Sequence, residues 1–119
     1  MNKGKVHLHL GTLEDMGARF VSAWKAAENS EFRGGEHVTF LSTEAFVAAL
    51  SPKRLALLRH VHKEGPCSVR ALSMALERDY KSVHQDVAKL LASGLLARRA
   101  DKRIEAPWDR MVAEVDLAA

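Results

Sequence analysis

Cysteine is nearly missing from this chain: Cys67 is the only one among 119 residues. An internal disulfide and a multi-cysteine zinc ribbon are thereby excluded. There is no internal repeat and no low-complexity tract, and no apolar run approaches the ~20 residues of a membrane span. The opening residues Met1 to Lys5 are polar and lack the apolar stretch of a secretory leader, so a cytoplasmic protein is expected. No glycine loop suited to cradling a phosphate is present, since Gly34-Gly35 only marks a turn. No Ser/His/Asp or Cys/His set stands in a motif context, so neither catalysis nor a cofactor is expected. What is present is an ordinary globular composition, 47% hydrophobic and 28% charged. Its apolar residues are spread along the whole chain, which argues against disorder. The length fits one domain, or one small domain with an appended element.

The net charge of +3 conceals an asymmetry. Residues 1–51 carry five Lys/Arg against six Asp/Glu, and residues 104–119 one Arg against four acids. Between them, residues 52–103 carry twelve Lys/Arg against five acids. A basic block between mildly acidic flanks suggests one face that meets a polyanion.

Lys5–Leu10 alternates strictly, which predicts a strand with Val6, Leu8 and Leu10 on the core side and His7 and His9 on the other. After Gly11, Thr12 can cap a helix carrying Leu13, Met16, Phe20, Trp24 and Ala27 on one stripe to about Asn29. Residues 30–36 read as a loop, and His37–Leu41 as a second strand with Val38 and Phe40 on one side. The crossover leaves open whether the two strands pair in parallel or through a swapped or dimeric arrangement. Ser42 or Thr43 opens a short helix. Ser51-Pro52 caps the next one, which runs to about Lys63 with Leu55, Leu58 and Val61 inward, and Gly65-Pro66 stops it. Ser68 caps a helix with Val69, Leu72 and Leu76 on one side. A break at residues 77–80 precedes a further helix that ends at Ser93-Gly94. Leu95–Arg99 and Arg103–Ala106 then form a hairpin about Ala100-Asp101-Lys102. The segment with Met111, Val112 and Val115 is either a last strand or a short helix.

Three short helices followed by a basic hairpin are the layout of a winged helix-turn-helix. The expected fold class is therefore α+β. Residues 1–42 form a strand–helix–strand extension that serves dimerisation, residues 43–106 the DNA-binding domain, and residues 107–119 a segment for dimer or partner contact. On the last helix of that domain, Val83, Val87, Leu90 and Leu91 share one sector of about 100°. Arg78 (if the helix reaches it), Lys81, Gln85 and Lys89 fall opposite, with Ser82 beside them and His84 and Asp86 on the flanks. The outward side thus carries long donors and no carboxylate. Lys81 and Ser82 lie in the first turn, Gln85 suits bidentate reading of adenine, and Lys89 suits a phosphate. Asp79 reads as the N-cap. Tyr80 either stacks on sugar-phosphate or packs over the turn. Arg70 and the hairpin cations Arg98, Arg99, Lys102 and Arg103 would contact phosphates, releasing counterions.

The residues Ser51-Pro52-Lys53-Arg54-Leu55, Gly65-Pro66, Ser68-Val69-Arg70-Ala71-Leu72, Arg78-Asp79-Tyr80-Lys81-Ser82-Val83-His84-Gln85-Asp86-Val87, Leu90 and Gly94-Leu95-Leu96 carry a resemblance. So do Val38-Thr39-Phe40-Leu41-Ser42 upstream and Ala106-Pro107-Trp108-Asp109 downstream. Over roughly residues 37–117 the chain resembles prokaryotic transcriptional regulators with a winged helix of the MarR/ArsR sort. The resemblance implies duplex DNA binding and dimerisation. Some of those relatives are antitoxins that repress their own operons, which implies a cognate toxin as a further partner. The expected function is a sequence-specific transcriptional regulator, a homodimeric repressor on a palindromic operator.

Two other readings accompany it. A winged helix can bind protein without touching DNA, using its apolar terminal segments. A metal-sensing repressor would use His7 and His9, about 7 Å apart on one strand face, with His37 if its strand is the neighbour in the right register. No fourth ligand is evident in the sequence, and no metal site is assigned. Cys67, just before a helix cap, is either a thiol of lowered pKa that senses redox state or an inert thiol in a turn.

Overall fold

The computed structural model describes residues 4–10, 37–115 and 117. The helix expected from Thr12 and the loop at residues 30–36 lie outside the described residues. The fold is α+β and falls into two compact units. One comprises Ala49–Asp109 with Gly4, and the other comprises the described residues of 5–48 and 110–117.

In the second unit, β1 (Lys5–Leu10) lies between β2 (His37–Phe40) and β5 (Arg110–Val115), all parallel. The alternation in β1 has its expected result: Val6 and Leu8 are fully buried and Leu10 is half-buried. The undecided C-terminal segment is a strand, paired along the whole of β1 from Lys5↔Arg110 to Leu10↔Val115. Both hydrogen-bonding edges of β1 are therefore occupied within the subunit, and the parallel alternative for β1 and β2 is the one found. Ser42 caps α1 (Thr43–Ala49), its Oγ accepting from the Ala45 amide at 3.1 Å. Phe46 is buried and meets Phe40 edge-on at 5.8 Å.

The first unit is built on α2 (Pro52–Glu64), α3 (Val69–Ala75) and α4 (Tyr80–Ser93), followed by a hairpin of β3 (Ala97–Arg98) and β4 (Ile104–Glu105). Each helix begins where a side chain satisfies an orphan amide. Ser51 accepts from Arg54, Ser68 from Ala71 and Asp79 from Ser82. Such caps contribute about 1 kcal/mol each. Gly94 ends α4 at φ +84°, a left-handed conformation that glycine adopts without steric cost. The core consists of Leu57, Leu58, Val61, Leu72, Val83, Val87, Leu90, Leu95, Leu96, Ile104 and Trp108. Leu57, absent from the expected inward stripe of α2, is fully buried, while Leu55 is only half-buried.

The hairpin is shorter than its β-prone sequence suggests, because pairing stops at Arg98↔Ile104 and the Arg99 amide turns to the Arg103 carbonyl at 2.8 Å. Its inner side is fastened twice. Cys67 exchanges two backbone hydrogen bonds with Ile104, at 3.1 and 2.8 Å, and the Trp108 indole donates to the Gly94 carbonyl at 3.0 Å. Cys67 is therefore a short strand residue in its own right, a role that nothing in the local sequence signals. Burial pushes its thiol up, against the opposing charge of Arg103. The redox alternative, which needs a lowered thiol pKa, has no support in this placement.

Candidate nucleic-acid interface

The turn from α3 to α4 decides which side chains face outward. After α3 the Leu76 amide returns to Leu72, the Arg78 amide reaches the Ser73 carbonyl, and Glu77 sits at φ +53°. A non-glycine residue in the left-handed region is uncommon, and here it redirects the chain within four residues. Helical geometry then starts at Tyr80, with Asp79 as the cap as expected.

From Tyr80 onward the helical wheel holds. Val83, Val87 and Leu90 are buried, and Tyr80, Lys81, Ser82, His84, Gln85 and Lys89 are all exposed. Among the described residues, Lys81 and Lys89 have no ion pair. At the N-terminal end of this face Tyr80 is flanked on two sides. The Arg70 guanidinium from α3 lies 5.2 Å from the Tyr80 ring centroid, and the His84 ring lies at 5.8 Å. Both sequence-based options for Tyr80 bear on this placement. It packs over the turn through Arg70, and 44% of it is still exposed. The stack holds Arg70 toward the start of α4 by a cation–π contact, leaving its guanidinium edge for an anion.

Arg78 departs from its expected place. The helix stops short of it, so helical periodicity does not aim it outward. Its Nη2 instead donates to Asp86 Oδ2 at 2.8 Å, and Arg54 Nε of α2 donates to Asp86 Oδ1 at 3.2 Å. Both guanidinium side chains are at least four-fifths buried. Burial by itself would raise the Asp86 carboxyl, but hydrogen bonds and charge from Arg78 and Arg54 outweigh it and hold the group below the usual carboxylate range. Arg78 Nη1 is buried without a hydrogen-bond partner among the described residues. Arg78 thus does not share the outward side of α4, and through Asp86 it joins α2 to α4. Neither Arg54 nor Asp86 stands out in the sequence as a structural partner. The eight-residue spacing of Arg78 and Asp86 is the only local signal.

The hairpin presents Arg98, Arg99, Lys102 and Arg103, all exposed. They are not the uncompensated cluster that the composition suggests. Asp101 at the turn accepts from the Arg103 amide at 3.1 Å and from its Nε at 2.9 Å, and lies 3.8 Å from Arg99 Nε. These arginine hydrogen bonds hold its carboxyl below the ordinary range. Arg98 is pinned differently, donating to the Lys102 carbonyl at 3.0 Å. Lys102 itself takes φ +71° at the tip, and its ammonium has no ion pair among the described residues. The hairpin tip therefore holds Arg99 and Arg103 about the Asp101 carboxylate, and the hairpin, which also carries Glu105, keeps a net positive charge.

Taken together, one unit carries an open helix face rich in donors, a flanking Arg–Tyr–His stack and a cationic hairpin joined to the end of the same helix. The arrangement suits a polyanion with regularly spaced phosphates and edges that accept hydrogen bonds. Among the described residues no helix is long and apolar enough to cross a membrane. Neither the curated proteins nor the solved structures yield a match. Residues 49–113, which include every side chain of this face, match the model of the HVO_A0114 family, and the chain belongs to that family.

Proposed function

We propose that Ala49–Asp109 is a winged helix that binds duplex DNA, with α4 in the major groove, and that the chain acts as a transcriptional regulator. The observation that carries this reading is the outward face of α4, where Lys81, Ser82, Gln85 and Lys89 stand exposed with no carboxylate among them. Three further features support it. The helices alternate with pairing segments in the order expected of a winged helix: Cys67 bridges to Ile104 between α2 and α3, and the hairpin follows α4. Gln85, one turn beyond Lys81, has the amide needed to read adenine in bidentate fashion. Arg70, Arg98, Arg99, Lys102 and Arg103, with Lys89, supply phosphate contacts.

Homodimeric binding to a palindrome completes the proposal, because one recognition helix reads only a short site. The other unit leaves Leu41, Val47, Val115 and Leu117 exposed, between 48% and 93%, and these are the candidates for self-association or for a toxin-like partner. Selection of bound duplexes from a random pool tests the whole reading. Enrichment of an inverted repeat with half-sites about 34–36 Å apart is expected. Recovery of no duplex above background would leave the module as a protein-binding winged helix.

A further inference from the structure

The parallel sheet of β2, β1 and β5 has an imidazole face and a strand edge of different character. On the face turned away from Val6 and Leu8, the rings of His7, His9 and His37 stack with centroids 5.2 to 6.3 Å apart. His9 Nε2 and His37 Nδ1 approach to 2.9 Å. These imidazoles are engaged with one another, and among the described residues no group of three His, Cys, Asp or Glu could hold a metal ion. The edge at β5 is built differently. One side of β5 pairs with β1 in unbroken register from Arg110 to Val115, and among the described residues no strand pairs with the other side. In a parallel ladder alternate residues turn both backbone groups away from the neighbouring strand, so β5 presents N–H and C=O groups along this edge. Such an edge is a template for another strand unless it is very short, bulged, or guarded by proline or an inward charge. The middle of β5 is Met111-Val112-Ala113, with no proline, and its charges Arg110 and Glu114 flank that middle.

Those two charges are not balanced within the sheet. The register sets Arg110 opposite Lys5; both are exposed, and neither has an ion pair among the described residues. Like charges directly opposite one another on adjacent strands are destabilising. Toward the other end, Glu114 Oε2 lies 3.7 Å from His9 Nδ1, and 63% of the Glu114 side chain is still exposed. The edge strand thus carries surplus positive charge at its start and an accessible carboxylate four residues on.

We propose that β5 pairs antiparallel with β5 of a second copy of this chain, about a two-fold axis at Val112, joining the two sheets into one. A two-fold axis normal to the sheet keeps each face continuous, so it pairs residues that face the same way. Centred on Val112, it sets Arg110 of each copy against Glu114 of the other, Met111 against Ala113, and Val112 against itself. Moving the axis to Met111 or to Ala113 sets Arg110 or Glu114 against Val112 and loses both ion pairs. Opposite charges and β-branched residues directly across a ladder are favourable partners. This inference rests on the homodimeric part of the reading above and is independent of α4 and the hairpin.

Sedimentation equilibrium of the full chain, without DNA, tests it, and a dimer is expected. Arg110→Glu and Glu114→Arg, each checked for folding by circular dichroism, bring two like-charged pairs together across the axis and should weaken dimerisation by about tenfold or more. The double reversal Arg110→Glu/Glu114→Arg restores opposite charges with their places exchanged and should recover the association. A covalent readout serves where a charge variant does not fold. Val112→Cys in a Cys67→Ser background, treated with oxidised glutathione, should give a disulfide-linked dimer, and Val47→Cys in that background should not. A monomeric unmodified chain would overturn both this proposal and the homodimeric reading. A dimer that both folded single reversals leave intact, or that links through Val47→Cys and not through Val112→Cys, would overturn the β5 contact and leave the homodimeric reading standing.

Discussion

Asp86 and Asp101 each gather two arginines, one pair beneath the surface and the other in water. At Asp86, with 17% of its side chain exposed, Arg54 and Arg78 donate from two different elements. At Asp101, with 43% exposed, Arg99 and Arg103 come from the same turn. The first grouping ties α2 to α4 and turns Arg78 toward Asp86. The second only shapes a loop, and its guanidinium groups stay open to an incoming phosphate. A cation's place in a basic stretch therefore does not decide its use. What decides it is whether a carboxylate meets it in a site that excludes water, where an unpaired charge is costly, or at the surface, where pairing contributes little.

The largest expected effect follows from the buried grouping. Asp86→Ala leaves two arginines without their acceptor and should destabilise the fold by about 3 kcal/mol, near the low end for breaking a buried ion pair. Urea unfolding measures it. The carboxyl is held below its ordinary value in the folded chain. Its stabilisation is therefore present above the normal carboxylate range near pH 4 and is lost as pH falls through the folded value. Asp86→Asn should remove that part of the acid sensitivity, and an unchanged acid profile would contradict the role given to Asp86.

Next in size are the outward residues of α4. Lys81→Ala and Gln85→Ala should each cost about 1–3 kcal/mol of binding to a selected duplex while changing stability by no more than about 0.5 kcal/mol. At the hairpin tip, Lys102→Ala should weaken binding about equally on all sequences and lower the slope of affinity against salt by about one. The smallest effect, and the sharpest for the comparison, is expected from Asp101→Ala. It should leave the unfolding midpoint in place and tighten the duplex complex at low salt, the reverse of Asp86→Ala. Loss of stability in Asp101→Ala would erase the distinction between the two groupings.

The sequence shows what local physics controls. The caps at Ser51, Ser68 and Asp79 and the stop at Gly94 depend on residues within one turn, and all four are readable. So is the exposed side of α4, because helical periodicity alone sorts Lys81, Gln85 and Lys89 from Val83, Val87 and Leu90. Partners distant in the chain are not readable. Arg54 and Asp86 are 32 residues apart, and nothing in either segment marks the other. Arg78 is misplaced by periodicity because the helix begins two residues after it, at Tyr80. The histidine cluster is half visible. Alternation places His7 and His9 together, but His37 and Glu114 arrive through strand registers that only the folded sheet fixes.

The most direct measurement is fluorescence anisotropy of a selected duplex with the unmodified chain and with Lys81→Ala/Gln85→Ala, across a range of salt and with folding followed in parallel. The unmodified chain should bind with an affinity that falls steeply as salt rises, and the folded double variant should lose at least about thirtyfold at fixed salt. Equal binding by the two proteins would show that the outward face of α4 is not the DNA-reading surface.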